Sequence, residues 1–145
     1  MKVVLQRVLS SQVDVAGETV GRIGAGWLVL LGVGQGDTLE SAKYLADRCS
    51  KLRGFSDENG KMNRSVQDVS GAMLVVSQFT LVADCARGRR PSFDGAAPLG
   101  VAKELYEAFC EFVADMGIPV ERGVFQADMQ VSLVNDGPVT FVLER

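Results

Sequence analysis

The chain has 145 residues and a mass of 15.5 kDa, which is enough for one domain whose single core needs no metal or disulfide cross-link. Hydrophobic residues make up 47% of the sequence and charged residues 23%, and the net charge of −3 at pH 7 disfavours a protein that coats a long stretch of nucleic acid. The sequence contains no histidine, which excludes the Ser-His-Asp and Cys-His catalytic sets. We therefore expect one domain over residues 1–145 whose chemistry depends on other groups.

The N-terminal third of the sequence has the composition of β-strands. Residues 2–15 are rich in β-formers, a turn is expected at 16–18, and further strands are expected at 19–23 and 27–33. We interpret these segments as an antiparallel meander. Because residues 1–7 lack the long apolar core of a signal peptide, and the run at 27–33 is too short to cross a bilayer, we expect a cytoplasmic protein with no membrane partner.

Two helices are predicted from apolar residues at helical spacing. The first covers 39–52, with Asp37 or Thr38 as its cap. The second has Pro98 in its first turn and ends before Gly117, since proline suits the start of a helix and glycine its end. The apolar stripe of the second helix comprises Ala102, Leu105, Phe109, Phe112, Val113 and Met116.

The run at 72–79 is almost continuously apolar, which indicates a central strand buried on both faces. Shorter strands are expected at 53–56, 120–122, 129–134 and 139–143. Since strands outnumber helices and stand at both ends of the chain, we predict a mixed α/β fold. Its sheet would be curled, largely antiparallel and barrel-like, in β/β/α layers, with two main helices on one side.

The three cysteines, Cys49, Cys85 and Cys110, are odd in number, widely spaced and without a CxxC pair. This pattern predicts neither a disulfide framework nor a zinc site. We interpret all three as buried free thiols, and we expect neither a metal nor a cofactor.

Polar residues appear where the central strand ends, at Ser77-Gln78-Phe79-Thr80-Leu81. The tip of a buried strand is a suitable place for a functional site. The simpler interpretation is that the hydroxyls of Ser77 and Thr80 only satisfy local backbone groups.

A Gly-Pro step interrupts the strand pattern within Asn135-Asp136-Gly137-Pro138-Val139-Thr140. Proline has no N–H and breaks a ladder of strand hydrogen bonds, so it needs an edge, an end or an irregularity. The glycine avoids a clash with the proline ring, and an X-Pro bond adopts cis at a cost of about 0.5–1 kcal/mol. Two neighbouring carbonyls can then form a rigid probe of ligand shape; a simple turn is the alternative.

Together the two motifs closely resemble the signature motifs of the D-aminoacyl-tRNA deacylases, also called D-tyrosyl-tRNA deacylases. The resemblance covers essentially the whole chain, with further family positions in family order: Gln6-Arg7-Val8, Gly60-Lys61-Met62-Asn63, Arg89-Arg90-Pro91-Ser92-Phe93 and Asp128-Met129. One departure is Gln126, where the family pattern has glycine in a Phe-Gly-Ala segment. We expect this departure to alter the local turn or the floor of the pocket.

The resemblance implies a homodimeric hydrolase that cleaves the ester between a D-amino acid and the 3′ end of tRNA, with no DNA partner. An aminoacyl ester is already activated, so main-chain N–H groups that stabilise the oxyanion can suffice without a histidine. By the same resemblance, Ser77 and Gln78 belong to the catalytic motif, and the N–H groups of Phe79 and Thr80 face the scissile carbonyl. The ribose 2′-hydroxyl then helps the attacking water. A nucleophilic Thr80 hydroxyl is the alternative, although the sequence offers it no histidine or evident lysine partner.

The resemblance also implies how D- and L-amino acids are distinguished. The carbonyls of Gly137-Pro138, a cis element, would enter the partner subunit's pocket, hold the amino group and occlude the space that an L side chain needs. Glycine would escape this filter, so glycyl-tRNA is an expected substrate. Arg7 would brace the motif, Met129 would line the same wall, and Phe125 would stack on the terminal adenine. An edge charge for Arg7 and core packing for the other two are the simpler interpretations.

Two other functions are compatible with the sequence. One is a non-catalytic dimeric binding module for aminoacyl or nucleotide ligands, and the other is a structural dimer in which the Gly-Pro step is an interface turn. Release of amino acid from charged tRNA distinguishes the hydrolase from both. The basic residues Arg87, Arg89 and Arg90 form either a solvated loop or a contact for phosphates at the acceptor end of tRNA.

Overall fold

The computed structural model describes residues 1–86 and 88–145. Its elements in chain order are β1 (Lys2–Val15), β2 (Glu18–Ile23), β3 (Gly26–Gly32), α1 (Leu39–Lys51), β4 (Phe55–Ser56), β5 (Met62–Arg64), β6 (Ala72–Ser77), a 3₁₀ helix (Phe79–Val82), α2 (Leu99–Asp115), β7 (Val120–Arg122) and β8 (Gln130–Glu144). Arg87 of the predicted basic cluster lies outside the described residues.

Strand β1 organises the main sheet because it pairs along both of its edges. One edge pairs antiparallel with β8 from Lys2 to Asp14. The other edge pairs with β3 over residues 2–8 and then with β2 over residues 11–15. Since β3 pairs with β1 and not with β2, the predicted meander is wrong. A strand of 14 residues is long enough to hold two shorter strands, one after the other, on a single edge.

Strand β6 is buried on both faces, as its apolar run predicts. It pairs in parallel with β3 on one side and β7 on the other. Met73 and Val75 belong to the main core, while Leu74 and Val76 belong to a second core on the opposite face of the curled sheet. The strand ends at Ser77 and not at Phe79, because Phe79 begins the 3₁₀ helix.

The two helices contribute to the main core and leave the second core to the sheet. Helix α1 is capped by Thr38, whose N–H donates to Ser41 Oγ at 3.4 Å, while Asp37 instead accepts from the Gly34 N–H at 2.7 Å. Helix α2 begins after Pro98 and buries Leu105, Tyr106, Phe109, Cys110 and Val113. The predicted mixed α/β class with two helices on one side of a curled sheet is therefore confirmed. No helix in the ranges 1–86 and 88–145 is long and apolar enough to span a membrane.

All three cysteines are free, but only two of them are buried. Burial raises the pKa of Cys49 to about 12 and the pKa of Cys110 to about 11, so both thiols are neutral at pH 7. The prediction of burial is wrong for Cys85, which is exposed in the segment after the 3₁₀ helix.

Gly54 is needed because the largest core side chain lies directly against it. A Cβ at position 54 would overlap Trp27 Cη2 and would lie 2.7 Å from Cζ2 of the same ring. The ring cannot retreat, since it is fully buried and packs edge-on against Phe55 and Phe141, with centroids 4.7 and 6.1 Å away. The chain therefore approaches the ring here without a side chain.

We expect Gly54→Ala to lower the free energy of unfolding by roughly 2–3 kcal/mol, because a close-packed core accommodates added volume poorly. The matched control is Gly100→Ala in α2, where a Cβ would meet open space. The control is expected to raise the free energy of unfolding by about 0.5–1 kcal/mol through helix propensity. Urea denaturation measures both, and equal effects of the two substitutions would contradict this account.

Candidate functional site

A cavity of about 570 Å³ opens where β6 ends. Ser77, Gln78 and Phe79 form one side of it, and Phe125 and Met129 lie in the part of the wall that precedes β8. The structure thus brings together five of the predicted site residues from separate parts of the chain. The remaining four, Arg7, Thr80, Gly137 and Pro138, are described but do not line the cavity wall.

The 3₁₀ helix leaves two main-chain donors free beside this cavity. The Gln78 N–H donates to the Leu31 carbonyl at 2.7 Å, and the Leu81 N–H closes the first turn on the Gln78 carbonyl at 3.2 Å. Between them, the N–H groups of Phe79 and Thr80 have no hydrogen-bond partner in the part of the chain that the structure describes. Two adjacent free donors can bind an anionic or polarised oxygen.

The Thr80 hydroxyl is held by an amide and not by a base. Gln78 Nε2 donates to Thr80 Oγ1 at 2.5 Å. An amide donor cannot remove a proton from the hydroxyl, so this contact positions Thr80 Oγ1 without activating it as a nucleophile. Within the described ranges, no group of three or more histidine, cysteine or acidic side chains is arranged to hold a metal ion.

Aromatic rings cover two sides of the cavity. The Phe79 ring is 56% exposed and packs at 4.9 Å, centroid to centroid, against Phe93. The Phe125 ring lies 5.9 Å from the buried ring of Tyr106, whose hydroxyl donates to the Val75 carbonyl at 2.9 Å. Phe125 therefore lines the cavity and also packs against the core, so the structure is compatible with both interpretations of this residue.

The sequence interpretation missed the wall that the start of α2 supplies. Ala97, just before α2, and Leu99 and Ala102 in its first turns also line the cavity. Leu99 is 57% exposed although it is large and apolar. An apolar residue in the first helical turn, outside the main stripe, is the signal that identifies this wall.

Gln126 occupies a turn that favours glycine. The Ala127 N–H donates to the Val124 carbonyl at 3.2 Å, which places Gln126 third in a four-residue turn, with φ +66°. A turn with positive φ at its third residue normally has glycine there. The glycine of the family pattern therefore has a backbone reason, and glutamine at this position adopts a left-handed conformation.

Arg7 is buried beneath the Gly-Pro segment. Its side chain is positioned by three contacts: Nη1 donates to the Gly54 carbonyl at 2.8 Å, and Nε lies 3.2 Å from the Asp136 carbonyl oxygen and 3.0 Å from Asp136 Oδ2. In the strand register, Gln6 faces Thr140 and Val8 faces Asn135, so Arg7 alone lies opposite residues 136–139. The guanidinium fills the place where the ladder is interrupted.

The segment 136–139 projects from within a single strand. Two separate strands, 129–134 and 139–143, were predicted, but β8 runs from Gln130 to Glu144 and accommodates the extra residues as an irregularity against β1. Asn135 Oδ1 accepts from the Val139 N–H at 2.8 Å and closes the base of the projection. The Gly137–Pro138 peptide is cis, and both residues are exposed.

Comparison with known proteins establishes the family. The family model described as D-Tyr-tRNA(Tyr) deacylase matches residues 4–144. A D-aminoacyl-tRNA deacylase of Geobacter sulfurreducens is 57% identical over 144 residues, which cover 99% of this chain and 95% of that protein. The family match thus places the protein in the class of hydrolases that act on the ester of aminoacyl-tRNA. The chain belongs to the D-aminoacyl-tRNA deacylase family, which confirms the resemblance and the prediction of an enzyme.

Two solved structures share the fold over nearly their whole length. One, described as a c-Myc DNA unwinding element binding protein, is 40% identical with a TM-score of 0.95 and covers 100% of this chain and 99% of its own. The other, described as a probable eukaryotic D-amino acid tRNA deacylase, is 19% identical with a TM-score of 0.83 and covers 99% of this chain and 98% of its own. At this low identity, the second comparison supports the fold alone.

We expect Gln126→Gly to raise the free energy of unfolding by about 0.5–1 kcal/mol. The left-handed conformation costs a residue with a side chain roughly 1–2 kcal/mol, and the greater chain entropy of glycine offsets part of that relief. Gln126→Ala is the control, because it removes the amide but keeps a Cβ, and it should change stability by less than about 0.5 kcal/mol. Thermal unfolding of the three proteins measures the difference; equal stability of the glycine and alanine variants would contradict the assignment of the turn.

Proposed function

We propose that the protein hydrolyses the ester of D-aminoacyl-tRNA, releases free D-amino acid and tRNA, and acts in the cytoplasm. The observation that carries the proposal is the pair of free main-chain donors, the Phe79 and Thr80 N–H groups, at the edge of the cavity. Such donors stabilise the negative charge that develops on an ester carbonyl oxygen during attack. Family membership supplies the substrate class.

The chemistry proposed here needs no side-chain base. The ester is activated before it arrives, and the 2′-hydroxyl of the terminal ribose is placed next to the attacking water by the substrate itself. Removing one donor from an oxyanion site typically costs 10²–10³ in kcat, so these main-chain groups would account for a large part of the rate. This fits a chain with no histidine.

Selection of the D-enantiomer is assigned to a homodimer. In this proposal the projecting segment 136–139 enters the cavity of a second copy, where its carbonyls hold the amino group and exclude an L side chain. Support comes from its exposure, from its fixing by Arg7 and from its absence from the cavity wall of its own chain. Strands β1 and β8 also carry exposed apolar side chains, as expected of a surface that a second copy covers. They are Leu9 in β1, which is 58% exposed, and Val134 and Val142 in β8, which are 52% and 60% exposed.

Glycyl-tRNA is a further proposed substrate, because glycine has no side chain for the projecting segment to reject. Met129 lines the cavity wall and packs against Gly123, where a Cβ would lie 2.7 Å from its sulfur. Its sulfur therefore lies close to the backbone at residue 123, and we propose that the side chain forms the wall that faces the amino acid. The exposed Arg89 and Arg90 are proposed to contact phosphates of the tRNA acceptor end.

A non-catalytic binding module is the second candidate function. The 40% identical solved structure is named for binding a DNA unwinding element, so ligand capture without turnover deserves a direct test. The net charge of −3 weighs against binding to a long duplex, because phosphate neutralisation needs an excess of basic residues. Release of D-amino acid at catalytic enzyme concentrations decides between the two functions.

We expect Phe79→Pro to lower kcat for D-aminoacyl-tRNA about 100-fold relative to Phe79→Ala. Proline removes the N–H at the first position of the 3₁₀ helix, where its ring is otherwise tolerated, while alanine removes only the ring. Thr80→Ala should stay within about threefold of wild type, because it keeps the N–H and loses only a hydroxyl. Single-turnover hydrolysis measures all three. Complete loss of activity in a folded Thr80→Ala protein would instead identify a nucleophile.

We expect Arg7→Lys to reduce the ratio of D- to L-aminoacyl-tRNA hydrolysis about tenfold. Lysine keeps the charge but cannot hold the Gly54 carbonyl and Asp136 together, so the projecting segment loses its fixed position. Hydrolysis of glycyl-tRNA should change less than this ratio. Arg22→Lys on the exposed part of β2 is the control and should leave the ratio unchanged. An unaltered ratio in Arg7→Lys would remove Arg7 from enantiomer selection.

A further inference from the structure

A second cavity of about 280 Å³ lies next to the first. Lys103, Tyr106 and Glu107 of α2 form one side of it, and Arg122 at the end of β7 forms another. The turn at residues 125–126 lines both cavities. The two cavities are therefore neighbours that share this turn, and a ligand long enough to extend past the turn can contact both.

The second cavity presents positive charge that is only partly neutralised. Lys103 Nζ lies 3.8 Å from Glu107 Oε1, which is a loose ion pair. Arg122 is exposed and has no carboxylate oxygen within 4.0 Å among the described side chains. One free guanidinium and one loosely paired ammonium thus face the same small space, in a chain whose net charge is negative.

The buried groups behind this cavity carry no opposing charge at neutral pH. Burial raises the pKa of the Tyr106 phenol above its usual range, although the nearby Arg122 acts in the opposite direction. Burial likewise raises the pKa of Cys110 to about 11. Glu107 is the only residue with a carboxylate side chain among the described residues that line the cavity, and it competes with an anion for Lys103.

We infer that this second cavity binds the phosphate on the 5′ oxygen of the terminal nucleotide, with Arg122 as the main contact and Lys103 as the second. The inference rests on the proposed function and extends it to the next group of the same substrate. The terminal ribose carries the ester on its 3′ oxygen and the phosphate on its 5′ oxygen. With the ester at the Phe79 and Thr80 N–H groups and the base against Phe125, the phosphate lies across the shared turn. A guanidinium there binds phosphate oxygens in bidentate geometry.

The experiment compares three substrates that carry the same D-amino acid on the ribose 3′ oxygen: adenosine, adenosine 5′-monophosphate and intact tRNA. For Arg122→Gln we expect kcat/KM to fall about tenfold on the two phosphate-bearing substrates, through KM, and to stay within about twofold on the adenosine ester. Lys103→Gln should show the same pattern with a smaller loss. Lys43→Gln, an exposed lysine of α1, removes the same charge and should change none of the three.

Glu107→Gln gives a test of opposite sign. Removal of this carboxylate frees Lys103, so KM for the adenosine 5′-monophosphate ester should fall about two- to threefold, while KM for the adenosine ester stays constant. Equal losses on the adenosine and adenosine 5′-monophosphate esters in Arg122→Gln, or no loss on either, would overturn the phosphate assignment. If wild-type protein hydrolyses none of the three substrates, the proposed function itself fails.

Discussion

The buried guanidinium of Arg7 is the interaction on which the arrangement of this molecule depends. A cation that is 9% exposed must be paired, and Arg7 meets this need with the Gly54 carbonyl and with Asp136. Its strand, β1, pairs with three other strands, so the charge is fixed at the centre of the main sheet. The same contacts hold the segment 136–139 outside the regular ladder. Core packing around Trp27 and the shape of an exposed projection are thereby coupled through one side chain.

Two features of the structure use main-chain groups where enzymes commonly use side chains. The end of β6 turns into a 3₁₀ helix and leaves two N–H groups free, and the irregularity in β8 presents an exposed glycine and proline. Backbone groups are positioned by secondary structure, so their geometry is as rigid as the sheet that carries them. In the proposed function, the first feature supplies rate and the second supplies enantiomer selection, and each is fixed by a different strand.

Local patterns predicted the elements well but not their partners. The continuous apolar run of β6 and the helical stripe of α2 are properties of neighbouring residues, and both were confirmed. The pairing of β3 with β1 instead of β2 depends on contacts between separate segments of the chain, and periodicity does not encode that choice. The sequence predicts two strands in place of β8 because a proline normally ends a strand pattern. In the structure β8 continues through Pro138, and the irregularity lies opposite Arg7 of the partner strand β1.

For the site, the sequence located the end of β6 and the Gly-Pro step. That Gly137 and Pro138 do not line the cavity of their own chain is visible only in three dimensions. Gln126 illustrates the difference between what the sequence shows and what only the structure shows. Its departure from the family pattern is visible in the sequence, but the positive φ that explains a glycine there appears only in the turn itself.

Main-chain amides also do not ionise in the physiological range. A reaction that depends on them would show a pH profile set by its substrate's own amino group and water, and the protein would contribute almost none of it.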